Sequence, residues 1–220
     1  MKEEIVKKIK ETNQKYRGKL VDQEIPQKLE KQLKDMDWSY LDLIHRKKHE
    51  RGTFEPLKAT EISEIKQRET EFRKAGLDAI RAGKVGAILL AGGQGTRLGF
   101  DKAKGMFNIG VNRTLYIFEQ LIANLMDVTN EAGTWIPLYI MTSDKNDEQT
   151  RAFFEEHNYF GYNKDYVKFF VQEMVPAVDF EGNVLREAED SLAMSPNGNG
   201  GWYKSLLRAG LDQDKKKRGV

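Results

Sequence analysis

A buried strand that runs without a break into a glycine-rich, cation-bearing loop is the feature that most limits how this chain can fold. Residues 85–90 (VGAILL) form a short continuous apolar run, and AGGQGTRLGFDKAKG follows at once. Such a run, closed by glycine, reads as a strand covered on both faces, as in a parallel sheet with helices on either side. In open α/β sheets, ligands bind beyond the C-terminal ends of the strands. Glycine there lets the main chain approach a ligand, and its N–H groups can face anionic oxygens. Arg97 and Lys104 add two cations to the same loop. That set suits a di- or triphosphate better than a neutral ligand. Two familiar phosphate loops fail on spacing. From Gly93 the pattern is G-x-G-x-x-x-G, with Leu98 where the dinucleotide fingerprint needs glycine, and no G-x-x-x-x-G-K-[ST] string occurs.

The pattern downstream is consistent with this sheet. Leu115, Phe118, Leu121, Ile122, Leu125 and Met126 define an amphipathic helix. Residues 136–141 read as a second buried strand and 145–157 as a helix with Phe153 and Phe154 inward. Residues 167–171 read as a third strand, and 178–185 as a hairpin turning at Glu181-Gly182-Asn183. After SPNGNGG, a last helix carries Trp202, Tyr203, Leu206, Leu207 and Leu211, with both aromatics read as core. Strands alternating with helices predict an α/β parallel sheet. Residues 1–83 differ: they are dense in Lys, Glu and Gln and predict a helical extension. Its last helix has Thr60 as N-cap, Ile62, Ile65, Phe72 and Ile80 on one stripe, and Gly83 as its stop. The expected domains are therefore a helical extension over 1–83 and an α/β domain over 84–220.

Composition narrows the functional classes. The chain has no cysteine, which removes disulfides, thiolate zinc sites and thiol nucleophiles together. Lys+Arg number 36 against 34 Asp+Glu, a net charge of +2 that argues against a dedicated nucleic-acid binder. The run at Lys215-Lys216-Lys217-Arg218 reads as a solvated helix end. No apolar run approaches a membrane span, and the N-terminus lacks a secretory h-region, so a cytoplasmic protein without membrane contact is expected. His45 and His49, spaced i,i+4 without a following carboxylate in a zinc pattern, read as a surface pair.

LAGGQGTRLG followed by Lys104-Gly105 resembles the nucleotide loop of the UDP-sugar pyrophosphorylases, uridylyltransferases that join UTP to a sugar 1-phosphate. The likeness is greatest to the branch holding UDP-N-acetylglucosamine pyrophosphorylase and UTP–glucose-1-phosphate uridylyltransferase. VKFFVQEMVPAV resembles the family strand whose glutamine reads uracil, which falls on Gln172. SPNGNGGWYKSLLRAGL resembles its second glycine loop. The three motifs stand in family order across residues 84–211. The resemblance implies a Rossmann-like nucleotide-diphosphosugar transferase sheet. It implies a nucleotide site of Leu90, Ala91, Gly92, Gly93, Gly95, Thr96, Gln172, Pro196 and Gly198, with Asn199 toward the sugar. Gly92 and Gly93 would lie against uracil or ribose. Arg97 would clamp the leaving phosphates and Lys104 would sit at the α-phosphate. Gln172, with one donor and one acceptor, matches the edge of uracil.

What the resemblance implies is in-line attack of a sugar 1-phosphate on UTP, yielding a UDP-sugar and pyrophosphate, with Mg²⁺ bridging phosphates. The sequence departs from the family at Ala103, where proline usually precedes the loop lysine; this is expected to loosen the backbone at Lys104. The family chain also continues beyond the helix at 201–211 into a strand whose aspartate helps hold metal and sugar phosphate, so this chain reads as the first part of such an enzyme. Asp101 and Glu173 are acidic residues near the proposed phosphates, and neither is assigned to the metal. The alternatives are a uridine-nucleotide-binding module without turnover, and a helical interaction arm formed by residues 1–83.

Overall fold

The computed structural model describes residues 52–177, 185–188 and 191–213. The helices expected before residue 52, the turn at 181–183, the histidine pair and the final basic run lie outside the described residues. The described chain divides into two compact units.

The larger unit holds residues 56–173 and the segment from 198 onward. Its elements are α1 (Ile62–Gln67), α2 (Glu69–Arg81), β1 (Ala87–Leu90), α3 (Ile117–Ala132), β2 (Leu138–Thr142), α4 (Asp147–Glu156), β3 (Val167–Val171) and, after the smaller unit, α5 (Trp202–Arg208). The strands form one parallel sheet in the order β1-β2-β3, with Ala87 opposite Leu138 and Leu138 opposite Val167. Parallel neighbours need crossovers, and α3 and α4 supply them. One face of the sheet presents Leu89, Leu138, Ile140 and Val167 to Phe118 and Ile122 of α3 and Phe154 of α4. The other presents Tyr139, Met141 and Phe170 to Leu206, with Trp202 and Leu211 packed alongside.

The central strand β2 is buried at every position. β1 is not: it alternates, leaving Ile88 36% and Leu90 41% exposed. The expectation of a strand covered on both faces fails here: among the described residues the α5 layer covers Tyr139, Met141 and Phe170 of β2 and β3 and does not reach Ile88 and Leu90 of β1, which lies at one edge of the sheet. Tyr203, read as core, is 51% exposed; Trp202 alone of the pair packs inward. Leu121 also faces solvent.

Local chemistry explains the boundaries. The helix expected from Thr60 starts one residue later: Glu61 is the N-cap, and its N–H donates to Glu64 Oε2 at 3.3 Å. A break at Arg68 then separates α1 from α2. Gly83 does end α2, with φ +69° and its N–H on the Ile80 carbonyl. On the stripe of α1 and α2, Ile62, Ile65 and Phe72 are exposed and Ile80 is half-buried. α2 meets α3 through Arg81 Nε on the Ala132 carbonyl and the Arg73–Glu131 ion pair. After α4 the chain turns through three left-handed non-glycine residues, Asn158, Tyr159 and Phe160. That conformation is unfavourable for bulky residues; ring packing of Tyr159 and Phe160 on Phe154 offsets it.

In the smaller unit, β4 (Met174–Pro176) pairs antiparallel with β7 (Met194–Pro196), and β5 (Arg186–Ala188) pairs antiparallel with β6 (Ser191–Leu192).

Candidate nucleotide site

The parallel sheet brings its three strand ends to one edge of the larger unit. Ala91 N–H donates to the Met141 carbonyl at 2.7 Å, and Gln172 N–H to the Thr142 carbonyl at 2.8 Å. These bonds carry the ladder just past β1 and β3. Gly92 follows Ala91, and there the sheet end becomes specific. A β-carbon on Gly92 would stand 2.5 Å from Gln172 Nε2, 2.8 Å from Cδ and 2.9 Å from Oε1. The Gln172 amide therefore lies against the bare α-carbon of Gly92, and only glycine allows it. Residues eighty positions apart in the chain meet because β1 and β3 flank β2 in register.

The loop beyond is closed on itself. Gln94 and Ala103 form an antiparallel bridge, with Gly95 N–H on the Lys102 carbonyl at 2.9 Å and Lys104 N–H on the Gly93 carbonyl at 3.1 Å. Ala103 is fully buried, so alternation puts Lys102 and Lys104 together on the opposite, exposed side. Ala103 holds φ −54° and ψ 133°, within the range proline would impose. The backbone at Lys104 is held by its own N–H on the Gly93 carbonyl, beside the bond from Gly95 N–H to the Lys102 carbonyl. Thr96, Arg97 and Leu98 form a 3₁₀ turn, ended by Gly99 at φ +66°.

Arg97 and Lys104 are both exposed. Among the described residues neither side chain has a hydrogen-bond or ion-pair partner, whereas Arg68, Lys74, Arg113 and Arg151 each meet a carboxylate. Two unpartnered cations on a latched glycine loop make a ready seat for anionic oxygens. The glycines divide their roles. The space beside Gly92 is taken by Gln172, that beside Gly95 by Phe100, and that beside Gly93 is open.

The second glycine loop belongs to the same unit. Gly198 adopts φ +73°, Asn199–Gly201 form a 3₁₀ turn, and α5 continues from it. Pro196 closes β7 opposite Met174 in the smaller unit. Glu173 is engaged with Arg208 and Lys204. Among the described residues no three His, Asp or Glu side chains gather as a metal site.

The sequence reading missed two residues here. Lys102 shares the exposed side of the loop with Lys104, and only the bridge register reveals it. Asn146 is buried, and its Nδ2 donates to the Ala91 carbonyl at 3.0 Å while its Oδ1 accepts Ser143 N–H at 2.8 Å. It ties the entry of the glycine loop to the end of β2. Its place just before Asp147 and Glu148 is a helix-start signal, but its side chain serves the strand ends instead of its own helix. Asn146→Ala leaves a buried carbonyl and a buried N–H without partners. A loss of about 2 kcal/mol in urea unfolding is expected; a loss under about 0.5 kcal/mol would mean that water replaces the amide.

With this geometry in place, the likeness to known proteins can be located. The family described as UTP--glucose-1-phosphate uridylyltransferase matches residues 24–220. A probable UDP-N-acetylglucosamine pyrophosphorylase of Schizosaccharomyces pombe is 37% identical over 206 residues, covering 88% of this chain and 43% of its own. The UDP-N-acetylglucosamine pyrophosphorylase of Saccharomyces cerevisiae is 40% identical over 158 residues, covering 70% and 33%. The crystal structure of a protein from Entamoeba histolytica, described as a UDP-N-acetylglucosamine pyrophosphorylase, superposes with a TM-score of 0.69 at 33% identity over 76% of this chain and 43% of that one. This chain thus spans less than half the length of these relatives. The matched region takes in both glycine loops and the strand ending at Gln172, and on that ground the chain belongs to the UTP–glucose-1-phosphate uridylyltransferase family.

Proposed function

We propose that this chain carries the uridine-nucleotide site of a uridylyltransferase that makes a UDP-sugar and pyrophosphate from UTP and a sugar 1-phosphate. The observation that carries this reading is the Gln172 amide against Gly92, beside a latched loop bearing two unpartnered cations. Gln172 offers the donor and acceptor that the uracil edge needs. The open side of Gly93 leaves room for ribose or phosphate. Arg97 holds the β- and γ-phosphates, and Lys104 meets the α-phosphate as negative charge builds on its oxygens. An oxygen of the sugar 1-phosphate attacks the α-phosphorus, the bond to the bridging oxygen breaks, and pyrophosphate leaves. The chain supplies orientation and charge and needs no covalent nucleophile. The names of the relatives favour N-acetylglucosamine 1-phosphate, with glucose 1-phosphate second. Gly198 is assigned to the nucleotide and Asn199 to the sugar.

Mg²⁺, bound through the triphosphate, would neutralise part of its charge. The described residues do not form a site for it on their own, and Glu173 is held by its cations. A cytoplasmic setting fits this substrate set, and no described helix is long and apolar enough to cross a membrane.

Pyrophosphate release from UTP and each sugar 1-phosphate tests the reading directly. Arg97→Met and Lys104→Met are each expected to lower turnover and UTP affinity about tenfold, with uridine affinity changed less than about twofold. Calorimetric titration with UTP and uridine checks this, and equal losses for both ligands would contradict the assigned roles. A second reading is a uridine-nucleotide-binding module without turnover. Under it UTP raises the melting temperature and no pyrophosphate appears.

A further inference from the structure

We propose that Glu173 is a positioning residue for Gln172, acting through its ion pair with Arg208; the inference rests on Gln172 reading the base. An amide discriminates between bases only if its main chain is fixed. On one side the Gln172 N–H is bound to the Thr142 carbonyl. On the other, the next residue is gripped at three points by one helix. Glu173 N–H donates to Ser205 Oγ at 2.9 Å. Its carboxylate, 7% exposed, meets Arg208 Nη1 at 2.5 Å and Lys204 Nζ at 3.5 Å. Arg208 is four residues from Lys204 and three from Ser205, so it neighbours both along α5.

The same helix holds the second glycine loop. Ser205 Oγ donates to the Gly201 carbonyl at 3.1 Å, at the end of the turn that begins after Gly198. Leu206, between the gripping residues, is fully buried against Tyr139, Met141 and Phe170. The helix is therefore anchored to the sheet while its polar side holds both the residue after Gln172 and the loop of Asn199. A carboxylate this far out of water is held because its charge is paired. Removing the charge or its partner lets the end of β3 shift, and Gln172 shifts with it.

The test is calorimetric titration of UTP and CTP into the full chain and its variants, with melting temperatures alongside. CTP differs from UTP at the edge that Gln172 faces. Glu173→Gln keeps the size and removes the charge, Arg208→Met removes the guanidinium and leaves Lys204, and Arg208→Lys keeps a cation. Glu173→Gln and Arg208→Met are expected to lower UTP affinity roughly five- to tenfold and to narrow the UTP-over-CTP ratio, since small misplacements of a recognition group are costly. Arg208→Lys is expected to stay within about threefold of the parent on both measures. An unchanged UTP-over-CTP ratio in Glu173→Gln and Arg208→Met would overturn the inference, even if both melt earlier, because the pair would then support only the fold. A parent chain without preference for UTP would instead overturn the underlying reading of Gln172. A preference for UTP in the parent that survives both variants would remove Glu173 alone.

Discussion

Gly92→Ala is expected to lower uridine-nucleotide affinity about a hundredfold, or about 2.7 kcal/mol, while the melting temperature stays within a few degrees of the parent. The added methyl would fall within 2.9 Å of all three terminal atoms of the Gln172 amide. Those atoms are the far end of a flexible side chain, so the fold yields cheaply by swinging the amide away. The site does not, because the displaced amide is the group assigned to uracil, and a site that loses its polar match discriminates poorly. Gly93→Ala separates this effect from a general sensitivity of the loop. Its β-carbon meets nothing within 4 Å, so the free protein is indifferent to it and any loss of UTP binding comes from collision with the ligand. Parent-like UTP binding by Gly92→Ala, measured by calorimetry, would remove Gln172 from the base site.

Gly105→Ala is expected to damage the fold itself, by about 3 kcal/mol in urea unfolding. The glycine after the loop lysine lies over the ring of Phe118, and a β-carbon there would overlap Cε1, Cζ and Cδ1 of that ring. The ring has nowhere to go. It is buried against Phe153 and Phe154, with centroids 6.3 and 5.0 Å away, in the cluster that also holds Met106 and Ile122. Cores packed to this density convert an extra methyl into strain. The substitution sits next to Lys104, so UTP binding should fall in step with stability. A variant less than about 1 kcal/mol below the parent would show that the ring can rotate clear.

Much of this architecture was legible because it depends on local pattern. The run at 167–171 became β3 without adjustment, and Phe118, Ile122, Leu125 and Met126 of the expected stripe lie on the inner side of α3, while Leu115 precedes the helix and Leu121 faces solvent. The edge character of β1 was not legible. Apolar run length reports that a strand is made of apolar residues, and the neighbours that cover each face are fixed by the whole sheet. The site divides in the same way. Glycines, Arg97 and Lys104 stand together in the sequence, so their loop could be read from it. The meeting of Gln172 with Gly92 depends on strand order and register, and here the residues gave Gln172 only as a donor and acceptor; its role came by resemblance. Asn146, Lys102 and the Glu173–Arg208 pair declare themselves only through contacts across the fold. Gly105 shows the opposite hazard. It stands in a ligand-like motif, yet its missing side chain makes room for Phe118.

The bridge between Gln94 and Ala103 has a thermodynamic consequence. Because Gly93, Gly95, Lys102 and Lys104 are joined by main-chain bonds before any ligand arrives, the entropy of ordering this hairpin is charged to folding. Association then meets a rigid receptor, and more of the attraction between guanidinium, ammonium and phosphate survives as net affinity.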